Sequence, residues 1–571
     1  MQPINQDQNE SSAKPFLWVV LALTMYGIYY FTNGLVWERM PIGDSTNTFL
    51  VYSYQYSGFA RGEFPLWNPL NRTGEPLYFI NVLYLANPIF NLNIGLSLLL
   101  GITNIYLSYL IFNFIIIVSY VTGIYLLVLT LTRNHHSSAL AAILTLGSGL
   151  VAYNMHGNTV LFWIHNVPWI FYGLINYSQK FQFRFLAVVI LGFTSALYAY
   201  EIVYPLSFIF LALIATMIFY RKSFNLVMLK KISAQHIILV ACLALVSCLP
   251  MLIIIYKTMG GNYLPPSTRM DLSSLNISED LRITWDLSFS RLDEFFLICE
   301  NCWSAMFTGA FWGKYQVARY YIGPVAFPFL ILAFLSRNKT VFCIGFTGLL
   351  TSLLAGNFFP ANLIYHLPFF EWMRYGTNFN MFIQIIVIIL SAIGFNFFIK
   401  HPFSIGKTTL VRVNVYMLGG YAFLAIVLPG NSLVDSALSL SAVTTISLMV
   451  LAYCKDSLPK RLLPHLIIFI TLVTVFSFQY LWVKHNPLLK GWKITNQEVL
   501  STKNRVDHSL NFSMERPDSL RTLDEDLSHI STTAFYDEYY SLLSLKDNTY
   551  NIKLISRGGF GSVPLDRKSV V

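Results

Sequence analysis

The stretch "FLWVVLALTMYGIYYFTNGLVWERMPIGDSTNTFLVYSYQYSGFARGEFPLWNP", residues 16–69, changes character near its middle. Residues 16–37 are apolar and long enough to cross the hydrocarbon core of a bilayer. From Trp37 onward the chain is too polar for a second span, and it is dense in aromatics, amides and isolated charges. The apolar habit then resumes. Of 571 residues, 55% are hydrophobic and only 12% charged, too little charge to cover a soluble protein of this size. Lipid is therefore the expected solvent, and the 16% share of aromatics suits many helix ends at a lipid–water boundary. A net charge of +10 invites a nucleic-acid partner, but the basic residues are scattered through short connections between apolar runs. Charge placed that way reports topology, so nucleic acid is excluded.

Working outward, apolar runs of spanning length occur at 16–37, 103–131, 137–153, 159–177, 183–200, 201–220, 236–256, 318–336, 340–356, 378–399, 411–429, 435–453 and 463–484. The connections "TRNHH", "SQKFQFR", "RKSFNLVMLKK", "SRNK", "KHPFSIGKTTLVR" and "CKDSLPKR" hold fifteen Lys and Arg residues. The alternate connections near 154–158, 200–201, 357–377 and 430–434 hold only Arg374. Positive residues stay on the cytoplasmic side, which predicts a cytoplasmic N-terminal segment (1–15), an odd number of spans and an extracytoplasmic C-terminus. Segment 1–15 is nearly free of positive charge, unlike the start of a cleaved signal peptide, so the first apolar run is expected to stay as a helix.

The expected architecture is an all-α polytopic membrane protein of about thirteen transmembrane helices over residues 16–484. Two extracytoplasmic loops, 38–102 and 257–317, and an extracytoplasmic α/β region at 485–571 complete it. Residues 77–101 are amphipathic with Pro88 in their middle, which predicts a broken helix lying along the interface. No internal repeat at fixed spacing is visible, which weighs against a transporter built from inverted halves.

Candidate chemistry concentrates at the outer face. "Asp-Ser-Thr-Asn" at 44–47 opens an apolar-aromatic run, a suitable helix start with Asp44 as cap. Glu38 and Arg39 flank the first span and suit either phosphate or metal binding, or simply an interfacial helix end. Arg374 can hold a lipid phosphate through two parallel hydrogen bonds, or pair with Glu371 three residues back. Glu201 falls at an outward membrane edge, where an acid is a functional candidate. His156 and His165 are too far apart in sequence for a helical metal pair. A divalent metal is an open cofactor without a ligand cluster to hold it. Cys242, Cys248, Cys343 and Cys454 lie in or beside apolar runs, as small hydrophobes do. Cys299 and Cys302 form a C-x-x-C in a loop, where a short disulfide would fit.

The segment "GDSTNTFLVYSYQYSGFARGEFPLWNPLNRTGEPL" resembles the YfhO-like bacterial branch of the GT-C class of membrane glycosyltransferases. The positions that carry the resemblance are Gly43, Asp44, Gln55, Gly62, Pro65, Leu66, Trp67 and Gly74. A second segment adds Tyr321, Gly323, Leu367, Pro368, Phe370 and Arg374, while Gly376 and Asn378 depart from the family's Pro and second Arg. The resemblance implies a carboxylate in the first extracytoplasmic loop as general base, here Asp44. It implies a polyprenyl-phosphate-linked sugar as donor, an envelope glycan or lipid as acceptor, and inversion at the anomeric carbon. It also implies substrate contacts from Gln55, Trp67 and Arg374, which Glu201, Glu38 and Arg39 join on their outer-edge positions alone, and residence in the bacterial cytoplasmic membrane. Two competing classes share the layout. A transporter or flippase of such a lipid would break its spans with Gly, Pro or charge, yet most spans here are plain Leu, Ile, Val and Phe. A surface-polysaccharide polymerase or ligase would lean on Arg and His in later outer loops.

Overall fold

The computed structural model describes residues 13–32, 44–62, 67–68, 75–76, 87–156, 161–198, 203–220, 234–259, 306–307, 320–355, 379–400, 405–427, 432–454, 457–459 and 461–485. The described residues are almost entirely helical. The helices are α1 (Ala13–Phe31), α2 (Asp44–Ala60), α3 (Pro88–Leu99), α4 (Ile105–Thr132), α5 (His135–Leu146), α6 (Gly149–His156), α7 (Leu161–Ile164), α8 (Val167–Lys180) and α9 (Phe183–Leu197). They continue with α10 (Val203–Tyr220), α11 (Ala234–Met259), α12 (Ala326–Leu335), α13 (Lys339–Ala355), α14 (Asn380–Lys400), α15 (Ile405–Val427), α16 (Ser432–Tyr453) and α17 (Leu462–His485). A two-stranded antiparallel ribbon, β1 (Trp67–Asn68) and β2 (Glu75–Pro76), follows α2.

Each apolar run in the sequence coincides with a helix or a pair of helices. Four segments are long and apolar enough to cross a bilayer by length and composition: Ile105–Thr132, Asn380–Lys400, Ser436–Tyr453 and Leu462–Leu481. Shorter apolar helical stretches run over Pro15–Phe31, Pro88–Leu99, Phe183–Leu197, Tyr204–Tyr220, Ile238–Leu249, Ala326–Leu335 and Lys339–Ala355, and the thirteen-span count stays an expectation from sequence. The C-x-x-C and the tail beyond residue 485 lie outside the described residues, as does loop 257–317 apart from 257–259 and 306–307.

Three tight turns are built alike. Arg133, Phe181 and Arg337 adopt φ of 53°, 51° and 50°, closing α4, α8 and α12 with a left-handed residue. The Arg133 N–H bonds back to Leu129 O at 2.8 Å, and Asn134 Oδ1 then accepts from His136 N (2.8 Å) and Ser137 N (3.2 Å) to start α5. The second Arg-Asn pair repeats the device, with Asn338 Oδ1 accepting from Thr340 N at 2.9 Å. Left-handed closure followed by an Asn cap reverses the chain with few unpaired backbone groups.

Two of the expected single helices are interrupted. The 137–153 run is α5 and α6, broken at Gly147 and Ser148, and the 159–177 run is α7 and α8, broken at His165 and Asn166. The first break is compensated by distant parts of the chain. Gln479 of α17 donates to Leu146 O (2.8 Å), and Gly149 N donates to Tyr321 O (2.7 Å). Tyr321 O also accepts from Gln384 of α14 (2.8 Å), and the Tyr321 ring stacks on Phe478. Apolar surroundings offer no water to freed backbone groups, so these bonds are what the break requires. Gly147 lets α17 press against it, since a Cβ there would fall 1.7 Å from Val475 Cγ1.

α14 is buried along nearly its whole length and packs on α12, α13, α5 and α4. Its closest approach is at Gly394, where a Cβ would lie 1.8 Å from Phe329 O. Ser391 Oγ donates to Ala326 O across the same seam at 2.8 Å.

Helix ends that the sequence assigns to the cytoplasm meet one another. Trp18 Nε1 donates to His465 Nδ1 (2.9 Å), Asn134 Nδ2 to Asn396 Oδ1 (3.1 Å), and the Tyr220 and Thr340 hydroxyls bond at 2.8 Å. Ends assigned to the outer face likewise meet: Tyr204 packs edge-on to Phe379, and Gln479 reaches Leu146.

Gly394→Ala is expected to force α12 and α14 apart at a backbone contact and cost about 1–3 kcal/mol. Gly420→Ala, where nothing lies within 4 Å, should leave stability unchanged or slightly raised. Thermal unfolding of both variants in detergent checks this, and equal melting temperatures would refute the close packing.

Candidate functional site

α2 begins at Asp44, directly after the loop that leaves the first apolar helix. An acidic residue at that point is favoured by the unpaired N–H groups and the partial positive charge of a helix start. Asp44, the expected base, is thus the first helical residue of α2, and the cap position before it, Gly43, lies outside the described residues.

The helix behind Asp44 is polar in composition yet deeply packed. Thr48, Phe49, Tyr52, Ser53, Gln55, Tyr56 and Ser57 are all buried. Phe49 sits against Tyr106 and Tyr109 at the start of α4, with ring centroids 5.4 and 5.0 Å apart. Tyr52 meets Phe90 of α3 edge-on at 4.9 Å. α3 is itself well seated: Asn87 Oδ1 accepts from Ile89 N (3.0 Å) and Phe90 N (3.4 Å), and Pro88 takes the first helical position. Pro88 therefore starts α3, where its missing N–H costs nothing. Residues 77–86 lie outside the described residues.

A buried hydrogen-bond relay joins the three helices. Asn93 Nδ2 donates to the Tyr52 hydroxyl (2.5 Å) and to Ser108 O (3.0 Å), and Ser108 Oγ donates to Ser97 Oγ (2.6 Å). Since the Ser108 proton goes to Ser97, Tyr52 donates its own to Ser108 Oγ. Burial pushes the Tyr52 phenol well above its ordinary pKa, against the lowering effect of the Ser108 and Asn93 bonds, so it stays a donor. Gln55 Nε2 donates to Asn91 Oδ1, and the Tyr56 hydroxyl to Ile102 O in the α3–α4 turn. Buried polar networks of this kind rigidify the elements they join.

α2 ends at Gly62, whose φ of +76° is the left-handed conformation that favours glycine. The chain then enters the ribbon, where Trp67 pairs with Pro76 and Asn68 with Glu75. Gly62 thus follows the end of α2, and Trp67 lies in a short antiparallel strand pairing that the sequence pattern did not announce.

Of the predicted site residues, Asp44 stands at a helix start, Gln55 is buried between α2 and α3, and Trp67 lies on β1. Glu38, Arg39, Glu201 and Arg374 lie outside the described residues, as do Gly43, Pro65, Leu66, Gly74, Leu367, Pro368 and Phe370. No group of three or more His, Cys, Asp or Glu that could hold a metal occurs among the described residues. Cys242, Cys248, Cys343 and Cys454 are free thiols. Sequence reasoning missed Tyr52, Asn93, Ser97 and Ser108. Their signal was polar side chains recurring where an interfacial segment meets an apolar helix.

No family model matches the chain, and no curated protein matches it. Among solved structures, ArnT from Cupriavidus metallidurans in the apo state aligns at 14% identity and a TM-score of 0.46, covering 82% of this chain and 76% of that one. The archaeal oligosaccharyltransferase AglB from Archaeoglobus fulgidus, in complex with an inhibitory peptide and a dolichol-phosphate, aligns at 12% identity and a TM-score of 0.39. That alignment covers 96% of this chain and 61% of AglB. Both TM-scores lie below 0.5, and function is argued below from this chain's own residues.

Tyr52→Phe is expected to remove the bonds that the Asn93 amide and Ser108 Oγ make to the phenol and to cost about 0.5–1.5 kcal/mol. A double-mutant cycle with Ser108→Ala, read by thermal unfolding, should give a coupling energy of at least about 0.5 kcal/mol. Strict additivity would show that the relay does not hold α2 in place.

Proposed function

We propose that the chain is a membrane glycosyltransferase of the GT-C type, in the YfhO-like branch. It moves a sugar from a polyprenyl-phosphate carrier to an envelope glycan or lipid on the extracytoplasmic face of the bacterial cytoplasmic membrane. The observation that carries this reading is the setting of Asp44: it opens a helix, in the loop after the first apolar helix, that buried aromatic and polar contacts lock onto α3 and α4. A base must sit on a rigid support to meet its proton, and positioned acid–base assistance is typically worth about 10²–10⁴-fold. Asp44 takes the proton of the acceptor hydroxyl, which attacks the anomeric carbon, and the polyprenyl phosphate leaves with the bonding electrons. A single displacement of this kind inverts the anomeric centre. Arg374 and Arg39 are the outer-face cations proposed to meet the phosphate, and Glu38 is the carboxylate beside them that a divalent metal would use. Gln55, Trp67 and Glu201 are the proposed sugar and acceptor contacts.

One observation favours a second reading. The helix breaks at Gly147–Ser148 and His165–Asn166 are the kind of interruption that transporters place around a substrate, which keeps a flippase of the same lipid as the alternative.

Purified wild type is expected to transfer label from a panel of radiolabelled polyprenyl-phosphate sugars to envelope extract. Asp44→Asn should fold normally and lose at least about 10²-fold in rate. Full activity in that variant would refute the assignment of the base. Saturable lipid binding by both proteins, without turnover from any donor, would select the flippase.

A further inference from the structure

The break between α7 and α8 holds two buried polar side chains that the proposed chemistry does not use. His165 is 2% exposed and Asn166 5%. The His165 ring folds back along α7, with Nδ1 3.0 Å from Leu161 O. A carbonyl only accepts, so Nδ1 carries the proton, and Nε2 of the neutral ring is a bare acceptor. That Nε2 has no partner among the described residues. Asn166 occupies the N-cap position of α8, where an Asn side chain ordinarily accepts from the first turn, yet it makes no such bond. Its Nδ2 is also without a partner among the described residues.

An unmet acceptor and an unmet donor on consecutive buried residues cost stability in the empty protein. The chemistry that satisfies both at once is a hydroxyl, which donates one hydrogen bond and accepts others. Phe162 of α7 stacks on Phe112 of α4 at 5.2 Å, and Phe112 lies against Tyr52 and Phe90, so α7 abuts the same packed platform that carries α2.

We propose that His165 and Asn166 form a hydroxyl-recognition subsite, in which His165 Nε2 accepts from a sugar hydroxyl of the glycosyl donor and Asn166 Nδ2 donates to one. This rests on the glycosyl-donor function proposed above. It is separate from the base and from the phosphate contacts.

The test measures binding of polyprenyl phosphate with and without its sugar, together with thermal unfolding of the ligand-free protein. His165→Phe removes the bare acceptor at similar volume. It should weaken binding of the glycosylated lipid on the order of tenfold, leave the sugar-free lipid unchanged, and raise the melting temperature of the empty protein. Asn166→Leu should repeat the pattern, and His165→Gln, which keeps an acceptor, should retain most of the binding. A structural role gives the opposite signature: lower melting temperature with both lipids weakened together. Unchanged binding of the glycosylated lipid by both variants means the groups hold a buried water only and overturns the subsite. Wild type that binds no glycosylated lipid overturns the donor function and the subsite with it.

Discussion

A backbone carbonyl in apolar surroundings must find its partner within the chain, and Tyr321 O meets that demand for two elements at once. It takes the N–H that opens α6 and the side-chain amide of Gln384 on α14. Without that acceptor the start of α6 would be unpaired, and without Gln479 the end of α5 would lose a second compensating bond. Each such group is worth more than a surface contact because leaving it unmade carries the full desolvation penalty, about 1–3 kcal/mol. The interruption at Gly147 is therefore held open by residues from α12's approach, α14 and α17 together. That arrangement fixes where the helices of the bundle's centre stand relative to one another.

The first-loop helix is held by a different mix of forces. Its aromatic face is packed edge-on and stacked against Tyr106, Tyr109, Phe90 and Phe112, and its polar groups are consumed by Asn91, Asn93 and Ser108. Packing supplies the energy and the hydrogen bonds supply the register, since only one rotation of α2 satisfies both. A residue at its N-terminus inherits that definition, which is what a group doing proton transfer needs.

Much of this architecture was legible in the sequence because its causes are local. Apolar runs of spanning length became helices, and the two Arg-Asn pairs at 133–134 and 337–338 became reversals because left-handed closure and an Asn cap need only adjacent residues. The start of α2 at Asp44 followed the same local logic. The break inside 137–153 was hidden because its compensation comes from Gln479, 333 positions away, and one Gly-Ser pair within an apolar run carries no signal of that partner. The depth at which α2 is buried was illegible too, since its composition is that of a surface loop. Four of the seven candidate site residues, Glu38, Arg39, Glu201 and Arg374, lie outside the described residues and stand on sequence alone.

The bond from Trp18 to His465 joins residues separated by 447 positions, and Tyr29 reaches Gln479 O across 450. Chains are made from one end, so α1 leaves the ribosome long before the helix that completes its packing exists. During that interval it has α4 and α5 as neighbours and lipid, or an insertion partner, on the face that α17 later takes. Closing that seam is thus a late event of biogenesis. A chain stalled before α17 would carry a finished first loop on a helix whose inner ring contact, Trp18, still faces outward.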